Sequence, residues 1–465
     1  MWYRICAFAI CMAGLTQAQG QVIVNGVAGE DADNASPFET LQAAVEFANN
    51  GSETVVEIHT NDPIPGLTFV AAALNHPLTI RAGSGFTPNI NSPMSIIPFN
   101  ATSDLVTLTG LHVEVPGGQV PLLVGTTLTA NDCTFITPAG AAEGGYRAAI
   151  STGTPSAGSM GTLTLNNCHL EGHVGLEVGR AAKDNILNNC SIYALSSDLS
   201  PQFSVGITAI GNWSSGYVNG RYGTTEGFTE IAEPRTVTIT NSVVQAGCPI
   251  GWPGDGPAAN VFYENELNCY GPINATNTVF ENLKNDVSIG YPSQILNLAV
   301  VAPQSPNSTF RHCTFRTEQA WGLWYFRSNF PVEHRFENCI FDAPKSNYGL
   351  AMNDPSVHTF VGDANVYQVS ANDMHFNPWI PPFETTYHER ALVGFEDPTW
   401  TLPGGALREA ANPFIVGKAV ALTPAVSDDF QGQVRPQPAS ASANDIGADE
   451  VDETNTSSTP DWSVY

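Results

Sequence analysis

A four-residue pattern recurs seven times along this chain of 465 residues: a polar residue, a small residue, any residue and an apolar residue. Successive copies are about 22 residues apart at the closest, and the longer spacings are irregular. Stacked β-coils with loop insertions of variable length give this kind of spacing. The copies are Asp132–Phe135, Asn167–Leu170, Asn189–Ile192, Asn241–Val244, Asn277–Phe280, His312–Phe315 and Asn338–Phe341, with a weaker copy before them at Gly110–Val113.

The small-residue position of the pattern predicts one inward column of core residues. Its occupants are Cys133, Cys168, Cys190, Ser242, Thr278, Cys313 and Cys339. Equivalent positions on successive coils stack about 4.8 Å apart, and buried thiols behave as small apolar side chains. Because serine and threonine replace cysteine in sister coils, we expect free thiols. Disulfides or a metal remain the alternative, and any disulfide is expected between Cys248 and Cys269, which lie outside the pattern.

The polar residue that opens each copy predicts a tight bend between two strands. In the copy at Asn167, Leu163 and Leu165 alternate inward before the bend, and Cys168 and Leu170 point inward after it. Asparagine suits such a bend because it tolerates the left-handed backbone conformation and hydrogen-bonds to nearby backbone.

The first 20 residues have the features of a secretory signal peptide. Arg4 precedes an apolar run that is too short to span a bilayer, and small residues end the segment. An uncleaved anchor is the alternative interpretation. We expect a mature protein that is secreted, periplasmic or on the cell surface, without insertion into the membrane.

Charge excludes some partners. The chain has 17 Lys and Arg residues against 44 Asp and Glu, for a net charge of −27. Nucleic-acid binding needs clustered basic residues that displace counterions, and the sequence has no such cluster. No cofactor is certain from the sequence. Calcium is the one candidate, because an acidic chain attracts divalent cations.

The segments that flank the repeat differ from it in composition. Residues 36–51 predict a capping helix that begins at Ser36 as the N-cap, with Pro37 in the first turn and Glu39 completing a capping box. The repeat fades over about 355–408, where we expect irregular coils and a long loop. Residues 451–465 form a polar tail with the composition of a disordered segment.

These features together resemble the right-handed parallel β-helix superfamily, which includes the pectate lyases. The N-terminal Pro37–Val45 is similar to the capping helix of that superfamily. Asp429–Pro436 and Asp445–Glu450 are similar to a tail of secreted bacterial members. The resemblance implies one all-β domain over 21–450, a right-handed parallel β-helix of roughly ten coils. It does not imply one activity, because lyases, hydrolases and non-catalytic adhesins share this scaffold.

A second type of strand, led by glycine, follows several copies of the pattern, and the resemblance implies a polysaccharide groove over these strands. Lyase chemistry uses a base and a cation that stabilises the developing enolate. We therefore select Glu177, Arg180 and Arg327 as catalytic candidates. Tryptophan stacks on sugar rings, and polar residues at the strand exits can bind hydroxyls. The substrate-binding candidates are Trp213, Trp324, Asn353 and Asp354.

Two functional hypotheses stay open. The first is an exported protein that binds polysaccharide or a cell-surface glycan along a lateral groove and cleaves it by lyase or glycosidase chemistry. The second is a non-catalytic envelope or adhesion protein that uses the β-helix face as a binding surface. The motif blocks of polygalacturonases and of the main pectate lyases are missing from the sequence, so neither family is favoured.

Overall fold

The computed structural model describes the following parts of the chain: residues 22–25, 36–38, 40–69, 74–96, 105–116, 119–138, 148–152, 161–172, 174–178, 182–194, 205–209, 236–246, 248–250, 273–282, 296–300, 307–317, 324–328, 331–343, 350–352, 356, 358–369, 388–389, 417–430, 432–436 and 443–448. The predicted signal peptide at 1–20 and the predicted tail at 451–465 lie outside these residues.

The strands of the described residues form three long sheets, of 13, 11 and 10 strands, which we call sheets A, B and C. Sheet A contains, in order, β2 (Ser36–Phe38), β1 (Val22–Asn25), β3 (Val55–Ile58), β5 (Leu78–Ala82), β8 (Leu105–Thr109), β11 (Thr127–Asn131), β14 (Gly161–Asn166), β17 (Ala182–Asn188), β20 (Thr236–Thr240), β23 (Ile273–Thr276), β26 (Ser308–Arg311), β29 (Val332–Glu337) and β32 (His358–Asp363). Sheet B contains β6 (Asn89–Ile90), β9 (His112–Glu114), β12 (Thr134–Ile136), β15 (His169–Gly172), β18 (Ser191–Ala194), β21 (Val243–Ala246), β24 (Val279–Asn282), β27 (Thr314–Thr317), β30 (Ile340–Ala343), β33 (Val366–Val369) and β34 (His388–Glu389). Sheet C contains β4 (Thr68–Phe69), β7 (Met94–Ile96), β10 (Leu122–Val124), β13 (Ala148–Ser151), β16 (Val174–Val178), β19 (Val205–Ala209), β22 (Cys248–Ile250), β25 (Leu296–Val300), β28 (Trp324–Ser328) and β31 (Leu350–Met352).

Each coil passes from sheet C to sheet A to sheet B, and neighbouring coils pair in parallel. The structure is therefore a parallel β-helix, as the repeat predicts, and parallel crossovers are almost always right-handed. Insertions fall between sheets B and C and between sheets C and A. From β8 to β33, each strand of sheet A is joined to the next strand of sheet B by two residues only, as between Asn131 and Thr134.

The bend between sheets A and B holds one residue in the left-handed conformation on each coil. Asn167 has φ 54° and Asn189 has φ 51°, and the same angle recurs at the other copies. The confirmed set with positive φ is Asp132, Asn167, Asn189, Asn241, Asn277, His312 and Asn338. Their side chains also bond along the stack, because Asn189 Nδ2 donates to Asn167 Oδ1 at 2.8 Å and Asn167 Nδ2 donates to Asp132 Oδ1 at 3.0 Å.

The small residue after each bend is buried, and all five cysteines of this column are free thiols. Each side chain donates to the carbonyl two residues earlier: Cys168 Sγ lies 3.4 Å from Asn166 O, and Ser242 Oγ lies 2.8 Å from Thr240 O. Thr278 makes the same bond to Thr276. The position thus selects a small side chain with a donor, which explains why cysteine, serine and threonine exchange there. Hydrogen bonding to Cys168 and burial raise the pKa of the Cys133 thiol, which disfavours a reactive thiolate.

Aromatic stacking fills the core in the C-terminal half of the helix. The rings of Phe315 and Phe341 stack with centroids 4.9 Å apart, and Phe310 and Phe336 stack at the same distance. Rings of the two columns meet edge to face, as Phe310 and Phe315 do at 5.5 Å. The repeat of in-register strands sets this geometry, because equivalent side chains on adjacent coils lie about one strand spacing apart.

The N-terminal cap begins later than the sequence predicts. The helix α1 spans Leu41–Asn50, and its N-cap is Thr40, whose Oγ1 accepts from the Ala43 N–H at 3.2 Å. The predicted start at Ser36 is wrong because Ser36–Phe38 pairs as an antiparallel strand with β1. The end at Gly51 is as predicted. The cap therefore combines an amphipathic helix with an antiparallel strand pair, and both protect the first coil.

The regular coils also extend further than predicted. Strands β32 and β33 lie within the segment 355–408, for which irregular structure was expected, and they pair in register with β29 and β30. Ala364 takes the left-handed bend with φ 54°. Asn365 fills the small-residue position, where it donates to Phe336 O and accepts from the Cys339 N–H. The sequence pattern misses this coil because alanine replaces the usual polar residue at the bend and asparagine replaces the usual small residue after it. Residues of this segment other than 356, 358–369 and 388–389 lie outside the described part.

Within the described residues, no helix has the length and apolar character needed to cross a membrane.

We predict that Asn167→Val destabilises the protein more than Asn167→Gly does. Both variants lose the amide ladder, and valine costs roughly 1–2 kcal/mol more because its branched side chain is strained in the left-handed region. Chemical unfolding followed by circular dichroism measures the difference. Equal unfolding midpoints for the two variants would contradict the role given to the bend.

Candidate functional site

The four glycine-led strands of the sequence lie together in sheet C, as β16, β19, β28 and β31. Glu177 pairs in register with Ser151 on one side and with Thr208 on the other. Two strands beyond β19, Asn297 of β25 pairs with Tyr325 of β28. The register therefore places Glu177, Thr208, Asn297 and Tyr325 in one column. Glu177 is half-buried, and its two neighbours along the strand, Leu176 and Val178, are buried, so this column belongs to the outer face of the sheet.

Two of the three predicted catalytic residues, Glu177 and Arg327, lie on distant strands, and Arg180 lies outside the described residues. Glu177 and Arg327 lie on strands that are four steps apart in sheet C, which corresponds to about 19 Å. Paired carboxylates or an acid and its partner act across roughly 5–10 Å. Glu177 and Arg327 can therefore serve separate subsites but not one scissile bond. Arg327 and Tyr325 are two residues apart on β28, so their positions belong to the same face of sheet C. Tyr325 was not among the predicted residues.

The register gives Trp324 a different position from the one predicted. Leu296 and Leu350 are its partners on the two adjacent strands. Leu296 in turn lies in register with Ile250, Ile207 and Leu176 on the preceding strands. The side chain of Leu176 is fully buried. Trp324 thus occupies a register position of the inner face, one residue away from the outer column of Tyr325.

The other predicted site residues are not placed by the structure. Arg180, Trp213, Asn353 and Asp354 lie outside the described residues, as does Cys269. Cys248 belongs to β22, where it pairs in register with Val205. The expected disulfide between Cys248 and Cys269 therefore stays a prediction.

Sheet B carries a row of polar side chains that sequence reasoning missed. The row, which we call the polar row, consists of Glu171, Tyr193, Gln245, Glu281, Arg316 and Asp342 at paired positions of successive coils. Arg316 Nη1 lies 3.5 Å from Glu281 Oε1, and Arg316 Nε lies 3.7 Å from Asp342 Oδ2. Gln245 Nε2 donates to Glu281 Oε2 at 2.8 Å. The signal in the sequence is the third residue after each small-residue position, which is polar in most copies.

Burial distinguishes the two ends of the polar row. Gln245, Glu281, Arg316 and Asp342 are each at least nine-tenths buried, so their charges are paired within the protein. Tyr193 lies at the more open end, where burial and the charges of Glu171 and Glu281 raise its pKa. A long polymer has no access to the buried end, so we assign Arg316 and its two carboxylates to internal ion pairing.

From Val243 onward, the neighbouring outward column of sheet B is apolar except for Thr314, and residues of the C-terminal segment 417–448 cover it. Val243 and Val279 pack with Phe430 and Ala448. Further along the column, Ile340 and Val366 pack with Ile446, next to Ala419 and Val420. This segment contains the tail motif of the sequence, and its described residues therefore act as a cover on the outer face of sheet B.

Side chains of the bend residues hold this cover in place. Asn338 Nδ2 donates to Val420 O at 2.9 Å, and Asn338 Oδ1 accepts from the Val420 N–H at 2.9 Å. His312 Nδ1 donates to Asp445 O at 3.1 Å. The bend residues thus bond to one another along the helix, as Asn338 Nδ2 does to His312 Nε2 at 3.1 Å, and those of the C-terminal half also bond to the C-terminal segment.

Arg435 stabilises the cover from within. Its guanidinium is buried and donates to Asp428 O at 3.1 Å, Asp445 O at 3.0 Å and Gly447 O at 2.8 Å. A further bond reaches Ala448 O at 2.9 Å. One planar group with five donors satisfies several carbonyls at once. The conspicuous Arg-Pro of the tail motif is therefore explained by folding.

No group of three or more metal-ligating side chains occurs among the residues that the structure describes. Calcium accordingly has no identified ligand set within that part of the chain and remains a condition to be tested.

We predict that Arg435→Lys lowers the free energy of unfolding by about 2–4 kcal/mol, because carbonyls that lose their donor stay buried without a partner. Arg335→Lys is the matched control, since Arg335 is only partly buried and forms ion pairs at 3.0 and 3.2 Å with Glu333 and Glu337. Such pairs contribute about 0–1 kcal/mol. Chemical unfolding compares the two variants, and an equal loss in both would refute the role given to Arg435.

We also predict that His312 makes the protein less stable as the pH is lowered. Burial and the neighbouring Arg435 lower the pKa of this imidazole in the folded protein. Below about pH 6.5, His312 takes up a proton in the unfolded chain but stays neutral in the folded protein. The free energy of unfolding is therefore highest above that pH and decreases below it. His312→Asn restores the bend residue of the sister coils and should reduce the loss of thermal stability between pH 7 and 5. An unchanged pH dependence in that variant would exclude His312 as its source.

Comparison with solved structures gives a likeness of overall fold. The crystal structure of pectate lyase Pel9A matches with a TM-score of 0.46 and 12% sequence identity, over 92% of this chain and 94% of that chain. No family model and no curated protein matches the chain. The assignment of the fold rests on the three sheets and their parallel register. The chain is a parallel β-helix that is similar in overall fold to this pectate lyase.

Proposed function

We propose that the protein is an exported polysaccharide-binding β-helix whose binding face is the outer side of sheet C. The observation that carries the proposal is the register of this sheet, which lines up Glu177, Thr208, Asn297 and Tyr325. Carboxylate, hydroxyl, amide and phenol groups are the types of side chain that hydrogen-bond to sugar hydroxyls. Their positions repeat along the helix axis at multiples of about 4.8 Å, which suits a polymer lying along that axis.

The other faces of the helix support the choice of sheet C. The apolar column of sheet B is covered in the C-terminal half by residues 417–448, and the charges of its polar row are buried and paired. Sheet C also carries the exits at which Arg180, Asn353 and Asp354 follow the strands in the sequence.

The separation of Glu177 from Arg327 favours binding over a single catalytic centre. We propose two subsites, one at Glu177 with Arg180 and one at Arg327 with Asn353 and Asp354, about 19 Å apart by strand count. Cleavage, if present, belongs to the first subsite, where a carboxylate and a guanidinium are three residues apart in the sequence. The non-catalytic alternative needs only the two subsites as a binding surface.

We expect the mature chain to bind at least one uronate-containing or sulfated polysaccharide in affinity electrophoresis. Glu177→Gln should weaken this binding about tenfold, which corresponds to the loss of one charge-assisted hydrogen bond of about 1.4 kcal/mol. Glu114→Gln is the matched control, because Glu114 is an exposed carboxylate on the outer face of sheet B.

The same samples, with and without calcium, should be followed by ultraviolet absorbance. A new absorbing product that Glu177→Gln abolishes identifies a lyase, whereas binding without product identifies a non-catalytic protein. Equal effects of the two substitutions, or the absence of binding to the whole panel, would overturn the assignment to sheet C.

A further inference from the structure

The outer face of sheet A is an array of threonines that nothing above explains. We call the threonine face the outward positions of β8, β11, β14, β17, β20 and β23. The register aligns Thr107, Thr129 and Thr164 in its central column, followed by Ile186, Thr238 and Asn274. The central column continues with Thr309 on β26 at the edge. The flanking columns add six further threonines, which are Thr109, Thr127, Thr162, Thr236, Thr240 and Thr276.

All of these threonines are partly exposed. Among the outward positions whose side chains the structure describes, Asp184 is the one charged residue of the threonine face, and it accepts from Thr236 Oγ1 at 2.6 Å. The face ends at ion pairs on both sides: Arg81 Nε donates to Glu57 Oε1 at 2.7 Å, and Arg311 Nε donates to Glu337 Oε2 at 2.9 Å. On the same coils, the outward positions of sheet B include Glu114, Glu171 and Glu281.

Two hydroxyls of the array bond to protein, because Thr236 Oγ1 donates to Asp184 and Thr127 Oγ1 accepts from the Thr162 N–H at 3.4 Å. Adjacent strands place equivalent hydroxyls about 4.8 Å apart, which is too far for a direct bond between two hydroxyls. Within the described part of the chain, the hydroxyls of Thr107, Thr129, Thr164 and Thr238 have no protein partner. Each offers one donor and two acceptor sites beside a methyl group, so the face orders water into rows set by the strands.

Both repeats of the face are regular. Rows recur at about 4.8 Å along the helix axis, and columns recur at about 6.8 Å along the strand, which is twice the rise per residue. These distances are close to the spacings between oxygen atoms on surfaces of hexagonal ice. Charged side chains would impose their own hydration shells on such a lattice, and over five strand steps, about 24 Å, Asp184 is the one charged residue among the described outward side chains of this face.

We propose that the threonine face is an ice-binding surface. Water bound to the hydroxyl rows joins the lattice of an ice crystal. The methyl groups between the rows contact this water and have no polar atoms that would need other hydrogen-bond partners. This function uses sheet A alone and does not depend on the polysaccharide face of sheet C. The high strand propensity of threonine is the competing explanation, and it predicts no effect of the protein on ice.

The test measures inhibition of ice recrystallisation and the shape of single ice crystals grown with the mature chain. Thr129→Lys places a charge in the central column and should lower the inhibitory potency about tenfold or more, the loss expected for about 1.4 kcal/mol of binding. Thr134→Lys is the matched control, because Thr134 is a partly exposed threonine of the same coil on the outer face of sheet B. It should leave the potency unchanged.

A second pair of variants keeps the test valid if one of the first two variants does not fold. Thr164→Lys and His169→Lys repeat the comparison one coil further along, on sheets A and B. Circular dichroism confirms that each variant is folded. The proposal is overturned if the wild-type chain does not inhibit recrystallisation or shape crystals, or if sheet A and sheet B variants lose potency equally. Retention on insoluble neutral polysaccharide that Thr129→Lys abolishes, without any effect on ice, would also overturn it and would assign this face to a glycan.

Discussion

The register between coils is the constraint on which the rest of the structure depends. A parallel β-helix repeats only if every coil returns to the same position, and here the return is set by a two-residue bend with one left-handed residue. The bend places the next small residue in the core, where it donates back to the carbonyl before the bend. Stacking these bends brings equivalent side chains together, so one local geometry produces the amide ladder, the thiol column and the stacked phenylalanines.

Regular register also makes each outer face a different chemical surface. Sheet A carries half-buried threonines without net charge over most of its length, and sheet B carries a buried ion-pair row beside an apolar column. Sheet C carries the glycine-led strands with Glu177. A single substitution repeated at one position of the coil would change a whole column, which makes such a scaffold suited to extended partners such as polymers or crystal surfaces.

The C-terminal segment shows how the ends of a solenoid are adapted to its faces. The apolar side chains Val243, Val279 and Ile340 would be exposed on sheet B without Phe430, Ile446 and Ala448 against them. Arg435 and the bend residues hold this cover by bonds to its carbonyls. The tail motif at Asp429–Pro436 and Asp445–Glu450 thereby contributes to closing one face through its described residues.

Much of the fold could be predicted from the sequence because it follows from local rules. The αL bend at Asn167, the inward column of Cys168 and its sister residues, and the common sheet of the glycine-led strands all depend on residues within a few positions of one another. The start of the cap was wrong because Ser36–Phe38 pairs with a strand that precedes it in the chain. The coil at Ala364 was missed because its bend and core residues are unusual types for those positions.

The candidate sites depended on contacts that the sequence does not encode locally. Strand count separates Glu177 from Arg327 by four steps, and only the register shows that Trp324 lies in the column of buried Leu176. Arg316 forms ion pairs with Glu281 and Asp342 although 35 and 26 residues separate them in the chain. The three residues occupy the same register position on successive coils, so stacking brings them together. The sequence by itself determined the repeat, the bend and the core column, since these arise within one coil. Only the tertiary structure decided which outward residues share a face and which faces are covered, because coil length varies and side chains far apart in the chain meet only after stacking.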